Sequence, residues 1–262
     1  SKYFKWFFKI VISSNMHKFL DDLKWQVEAG INEVISDSPI TSYEDNKIKV
    51  DKKTENTFSN NLNNFDNYND LYKYLSNSIE CELKNISKNS IKTQGNLNSK
   101  IMMITNIPSP LEDKEGKVLV GKNYNLFINI LSSINLSIDN LCFTPIIPWK
   151  TPGERELNKS EIELLVPFIK KQIEIIKPKI LIFLGADPIK YILQKDIGIL
   201  NSRGSFLNYR YGDKTIPCLP ILTPEFLIRR PEYKRETWND LIMLSKKIKE
   251  LNLQWLMLSQ NS

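Results

Sequence analysis

Apolar positions along the chain fall into two kinds of pattern, and the change from one to the other marks out the elements. Between residues 16 and 34, Phe19, Leu20, Leu23, Val27, Ile31 and Val34 recur at intervals of three and four, the spacing of one helical face. That stretch is predicted to be an amphipathic helix. Four short continuous apolar runs come later, at 101–104, 141–143, 180–184 and 218–222. Each reads as a strand buried on both faces. Helical periodicity separates them over 124–134, 160–176 and 187–193 and closes the chain over 234–251, with a further helix near 70–79. Ser160 and Glu163 offer a capping box for the 160–176 helix.

Strands alternating with helices imply a parallel sheet covered on both faces. The expected fold is α/β, a three-layer sandwich with a central four-stranded parallel sheet, occupying residues 70–252 as the main domain. Residues 36–69 shift to Asn, Asp, Ser, Thr and Lys, including Asn60-Asn61-Leu62-Asn63-Asn64, and read as a flexible Asn-rich linker. Residues 1–35 form an N-terminal extension and helix. The opening run from Lys2 to Ile12 is apolar but broken by lysines, and is shorter than the ~20 residues that span a bilayer. Residues 1–15 therefore read as an extension or an interfacial patch. In a parallel sheet, ligands bind beyond the carboxyl ends of the strands, so function is sought in loops 105–121, 145–155, 185–188 and 223–231.

Composition narrows the picture a little. The 36 basic residues against 30 acidic ones, a net charge of +6, suit a phosphate-bearing partner without demanding one. Cys81, Cys142 and Cys218 are far apart, which excludes a disulfide framework and a four-cysteine metal site and fits a reducing, cytoplasmic setting. A monomer without membrane attachment is expected.

The loops carry a resemblance. Thr223-Pro224-Glu225-Phe226-Leu227-Ile228-Arg229 resembles the His-Pro-x-x-Leu-x-Arg segment of family-four, iron-sulfur uracil-DNA glycosylases, with Thr223 where that family has His. Three blocks agree in order and spacing: 108–121 with Glu112-Asp113 and Val120-Gly121, Pro148-Trp149-Lys150-Thr151-Pro152-Gly153-Glu154-Arg155, and 179–185 followed by Arg203-Gly204. Leu23-Lys24-Trp25-Gln26-Val27-Glu28-Ala29-Gly30 and Cys81-Glu82-Leu83-Lys84 look like the alphaproteobacterial branch. The resemblance spans 16–251.

It implies a DNA-repair glycosidase, a hydrolase that flips uracil from the duplex and breaks its N-glycosidic bond. Negative charge gathers on the departing base, and in the family the motif His donates to it. Losing such a donor costs roughly 10²–10³-fold in rate. Thr223 is shorter and neutral, yet able to donate one hydrogen bond. The family's first motif, Gly-Glu-x-Pro-Gly, places a carboxylate near the attacking water. Here the segment is Thr105-Asn106-Ile107-Pro108-Ser109, and Asn106 can orient a water but not take its proton. Asn106 and Thr223 thus occupy the catalytic positions. Leu119 and Pro145 occupy the substrate-binding ones, in place of a stacking aromatic and a uracil-reading Asn. His17, the sole histidine, is assigned no role. The cluster ligands would fall on Ser78, Cys81, Trp149 and Leu165, so the iron-sulfur cluster is expected to be lost, with Cys81 a remnant and no other cofactor or metal.

For DNA, the resemblance makes Leu227 a wedge for the gap left by a flipped base, with Arg229, Arg230, Lys150, Arg155 and Arg203 near phosphates. The plain alternative is that 226–228 are core residues and the cations an ordinary solvated face. The expected function is a DNA-binding, uracil-DNA glycosylase-like protein of base-excision repair type, with uracil excision impaired or lost. The alternatives are an active glycosylase with rearranged catalytic residues and a repurposed protein-binding scaffold.

Overall fold

In the computed structural model, residues 62, 64–253 and 256 are described. The helix expected over 16–34 and, of the 36–69 stretch, residues 36–61 and 63 lie outside them. Packing nonetheless takes in Leu62, which is buried, and Phe65, whose ring lies 5.1 Å from that of Tyr74. Asn67 then caps helix α1 (Tyr68–Ser78) by accepting the Asp70 N–H. A short α2 (Glu82–Ile86) follows.

The four apolar runs are the strands β2 (Ile101–Thr105), β3 (Cys142–Pro145), β4 (Ile180–Leu184) and β6 (Lys214–Ile221), all mutually parallel. Two antiparallel edge strands, β1 (Gln94–Gly95) beside β3 and β5 (Leu207–Tyr211) beside β6, extend the expected four to six, in the order β1-β3-β2-β4-β6-β5. The strand β5 is missed by a search for continuous apolar runs, because only its Tyr209 is buried. Gly212-Asp213 joins it to β6 as a two-residue hairpin loop, with Gly212 at φ +53°.

Alternate strand residues feed two cores. Met102, Ile104, Leu181 and Phe183 face α1, α5 (Lys159–Ile176) and α6 (Asp187–Ile192). Ile101, Met103, Ile180 and Ile182 face α4 (Gly121–Ser132) and α9 (Lys234–Glu250). The three layers follow from this two-sided burial. Short helices α3 (Pro110–Glu115), α7 (Ile199–Ser202) and α8 (Pro224–Arg229) sit in the connections. The capping box of α5 is Asn158 with Glu161 rather than Ser160 with Glu163. The helix begins two residues earlier in its cap, and Asn is as good an N-cap as Ser. None of the helices among the described residues is long and apolar enough to cross a membrane.

Candidate functional site

From β2 the chain passes to β3 on one side, then crosses back to β4 on the other, so the strand order reverses beside β2. Such a reversal leaves a crevice at the carboxyl ends of the strands. A cleft of about 600 Å³ lies there, lined by the loops after β2, β4 and β6 together with residues of α3, α4 and the segment 154–156. A larger hollow of about 730 Å³ opens at the opposite end, before β4 and β6, and contains none of the expected site residues.

The cleft brings together Asn106, Leu119 and Thr223, with Arg155 and Arg229 on its walls. Asn106 is tied down. Its Oδ1 accepts the Asp187 N–H at 3.1 Å, and the Asp187 Oδ2 accepts the Ile107 N–H at 2.9 Å, so the loops after β2 and β4 clasp each other. Gly185 makes this possible, since at φ +108° a Cβ there would stand 2.1 Å from Asn106 Oδ1. Thr223 is the N-cap of α8, its Oγ1 accepting the Phe226 N–H at 3.2 Å. The hydroxyl hydrogen is left to point elsewhere. Leu119 sits at φ +52° and is buried, its N–H donating to Glu112 Oε1 at 2.7 Å.

The pair Glu112-Asp113, part of the resemblance, works on backbone. Glu112 completes a capping box with Ser109, and Asp113 accepts the N–H groups of Lys88 and Asn89. Pro145 is not in the cleft lining. It ends β3 opposite Thr105 and lines a small separate cavity with Tyr68 and Leu71.

Several expected DNA contacts are placed differently. Leu227 is 1% exposed, because its side of α8 packs into the core with Phe226. Its neighbour Ile228 is 44% exposed. Arg203 is locked inward, donating to both oxygens of Asp240 at 2.9 Å and to the Glu236 carbonyl. Arg155 forms a two-pronged pair with Glu161 at 2.8 and 2.7 Å, and Lys150 reaches Asp113 at 3.7 Å. On the cleft wall Arg229 pairs with Glu225 at 2.5 Å, and beside it Arg230 lies 3.9 Å from Glu232. Those exposed pairs are weak and exchangeable, unlike the buried Arg203 pair. The cleft walls hold Glu112, Glu154, Glu156, Asp187, Asp196 and Glu225 against Arg155, Lys190 and Arg229, so carboxylates outnumber cations in the lining.

One carboxylate of the cleft escaped the sequence pattern. Asp187 reads there only as the start of a helix, and only the fold brings it to Asn106. Burial pushes its carboxyl above the usual range, against the pull of the Ile107 N–H and Lys190. The positions implied for an iron-sulfur cluster do not suit one. Trp149 and Leu165 are each 1% exposed and join Cys81 in one apolar core, whose burial also raises the Cys81 thiol. A single thiol among apolar side chains lacks the ligands such a cluster needs.

Residues 92–242 match the model of the uracil DNA glycosylase superfamily. The chain is 29% identical to the Type-4 uracil-DNA glycosylase of Sulfurisphaera tokodaii over 177 residues, 66% of this chain and 79% of that one. Its likeness to the enzyme of the same name from Saccharolobus solfataricus is 28% over 176 residues, 65% and 80% of the two chains. The corresponding enzyme of Pyrobaculum aerophilum is 24% identical over 179 residues, 66% and 90%.

Proposed function

The chain belongs to the uracil DNA glycosylase superfamily as a family-four-like member, and from that we propose that it binds DNA across the strand-end cleft but excises uracil slowly or not at all. The observation that carries this is the state of Thr223. It stands where the resemblance expects a His, and its oxygen is engaged in capping α8. A neutral hydroxyl tied to a helix end stabilises a departing uracil anion less than an imidazolium would. Asn106 adds to the deficit, since it holds no proton-accepting carboxylate and its oxygen serves the Asp187 N–H. Leu119 offers no aromatic face for stacking. Because such groups act together, their losses do not simply add.

DNA contact rests on the cleft wall at Arg229 and the surface that continues from it, where Ile228, Arg229, Arg230, Lys234 and Arg235 follow one another around the corner from α8 into α9. Ile228, in place of Leu227, is the exposed apolar side chain for a strand gap. The cofactor proposal follows from the donor set, so the protein works without an iron-sulfur cluster.

The test is single-turnover excision from uracil-containing single- and double-stranded DNA with protein in excess, and DNA affinity read on the same samples at several salt concentrations. Salt-dependent binding with excision at least about 10²-fold below an intact relative supports the proposal. Efficient excision, or absence of salt-dependent binding, overturns it.

A further inference from the structure

Hydrolysis of an N-glycosidic bond at neutral pH is helped by a group that orients water and takes its proton. Among the described residues that line the cleft, most carboxylates are committed. Glu112 holds the Ser109 and Leu119 N–H groups, Glu225 pairs with Arg229, and Glu156 pairs with Lys190. Glu154 and Asp196 are exposed at the rim.

Asp187 differs from all of them. It is the first residue of α6, at the carboxyl end of β4, and lines the cleft. One oxygen, Oδ2, is fixed by the Ile107 N–H, while Oδ1 receives no hydrogen bond from the described residues. The backbone N–H of Asp187 fixes the Asn106 amide beside it. An anchored carboxylate with a spare oxygen and a neighbouring amide is a holder for one water molecule.

We propose that Asp187 is the carboxylate that positions and deprotonates the attacking water in this cleft, with Asn106 orienting that water. The inference rests on the proposed DNA-binding function and assigns whatever excision remains to one group. In the step, the water oxygen bonds to C1′ of the deoxyribose. The C1′–N bond breaks with its electron pair leaving on the base, the water proton passes to Asp187, and the base anion is protonated from solvent. One water is consumed, and a free base and an abasic sugar result. Burial raises the Asp187 carboxyl, which makes the ionised form a stronger base than an ordinary aspartate.

The experiment compares wild type, Asp187→Asn, and Asp187→Asn combined with Asn106→Asp, in single-turnover excision of uracil from single-stranded DNA. DNA affinity and thermal midpoint are measured on the same preparations. Asn can still accept the Ile107 N–H, so the clasp survives in the single variant. The expected result is a loss of about 10²-fold or more in the single variant at unchanged affinity, with part of the rate regained when a carboxylate is returned at 106. Wild-type rate in Asp187→Asn overturns the inference. So does early melting or lost affinity in that variant with no regain in the double variant, which makes Asp187 a packing residue. Wild type that binds DNA without any excision also overturns it while leaving the DNA-binding proposal intact, and wild type that neither binds nor cleaves ends both.

Discussion

Arg203 and Asp240 form a buried pair, with the guanidinium donating to both carboxylate oxygens at 2.9 Å and Asp240 wholly out of solvent. Burial lifts the Asp240 carboxyl even though Arg203 pulls it down. Removing one partner strands a buried charge, so Arg203→Ala should lower stability by about 3 kcal/mol or more in urea unfolding. If Arg203 instead met a phosphate, the variant would keep its stability and lose about one unit from the slope of binding against salt.

Leu227 and Ile228 should separate stability from binding. Leu227→Ala opens a cavity in the core behind α8 and should cost about 2–5 kcal/mol. Ile228→Ala, at an exposed site, should stay within about 0.5 kcal/mol in stability yet weaken binding to DNA with an unpaired gap. Equal affinity of wild type and Ile228→Ala for gapped DNA would remove the wedge from α8.

At Gly185 the expected effect is local. Gly185→Ala places a methyl group 2.1 Å from Asn106 Oδ1 at a φ of +108°, so the clasp between Asn106 and Asp187 must open. A cost of about 1–3 kcal/mol is expected from the backbone alone, read as a lowered thermal midpoint. Faster amide exchange at Ile107 and Asp187 would report the opening directly.

Acid should weaken the link between Arg155 and Glu161. Burial works to raise the Glu161 carboxyl, but the Arg155 hydrogen bonds and the Asn158 N–H outweigh it and hold it below the usual range. A carboxyl lowered in the folded state contributes stability that is present above its unfolded value near 4.5 and is lost as pH falls through the folded value. Glu161→Gln should therefore flatten the acid limb of a stability profile below about pH 4.5. An unchanged limb would place the acid sensitivity elsewhere.

Trp149 is expected to act as packing. Trp149→Ala should cost about 3–5 kcal/mol, and anaerobic treatment with iron and sulfide should leave no stoichiometric iron on wild type. Bound iron with visible cluster absorbance would contradict the proposed loss of the cluster.

The four parallel strands were legible because burial on both faces requires continuous apolar runs such as Ile180-Leu181-Ile182-Phe183-Leu184, a signal local to five residues. The hairpin strand β5 was not, since one buried tyrosine in an otherwise more exposed segment looks like loop until β6 pairs with it. The site was legible in the same measure. Asn106, Leu119 and Thr223 could be placed near one cleft because each sits in a motif beside its strand. Leu227 and Arg203 were placed at a DNA surface because their side of the helix or their distant partner cannot be read from neighbours in the chain.

By itself, then, the amino-acid order determined the layered α/β architecture, and it marked the strand-end loops and the residues that stand at the family's motif positions. These depend on local periodicity and on motif positions. Only the tertiary structure decided that the cations at 155 and 203 are turned to carboxylates, that Ile228 rather than Leu227 is exposed, and that Asp187 meets the loop at 106 and 107. Those outcomes join residues 6 to 81 positions apart, and their energies arise from burial and hydrogen-bond geometry that exist only once β2, β4 and β6 lie side by side.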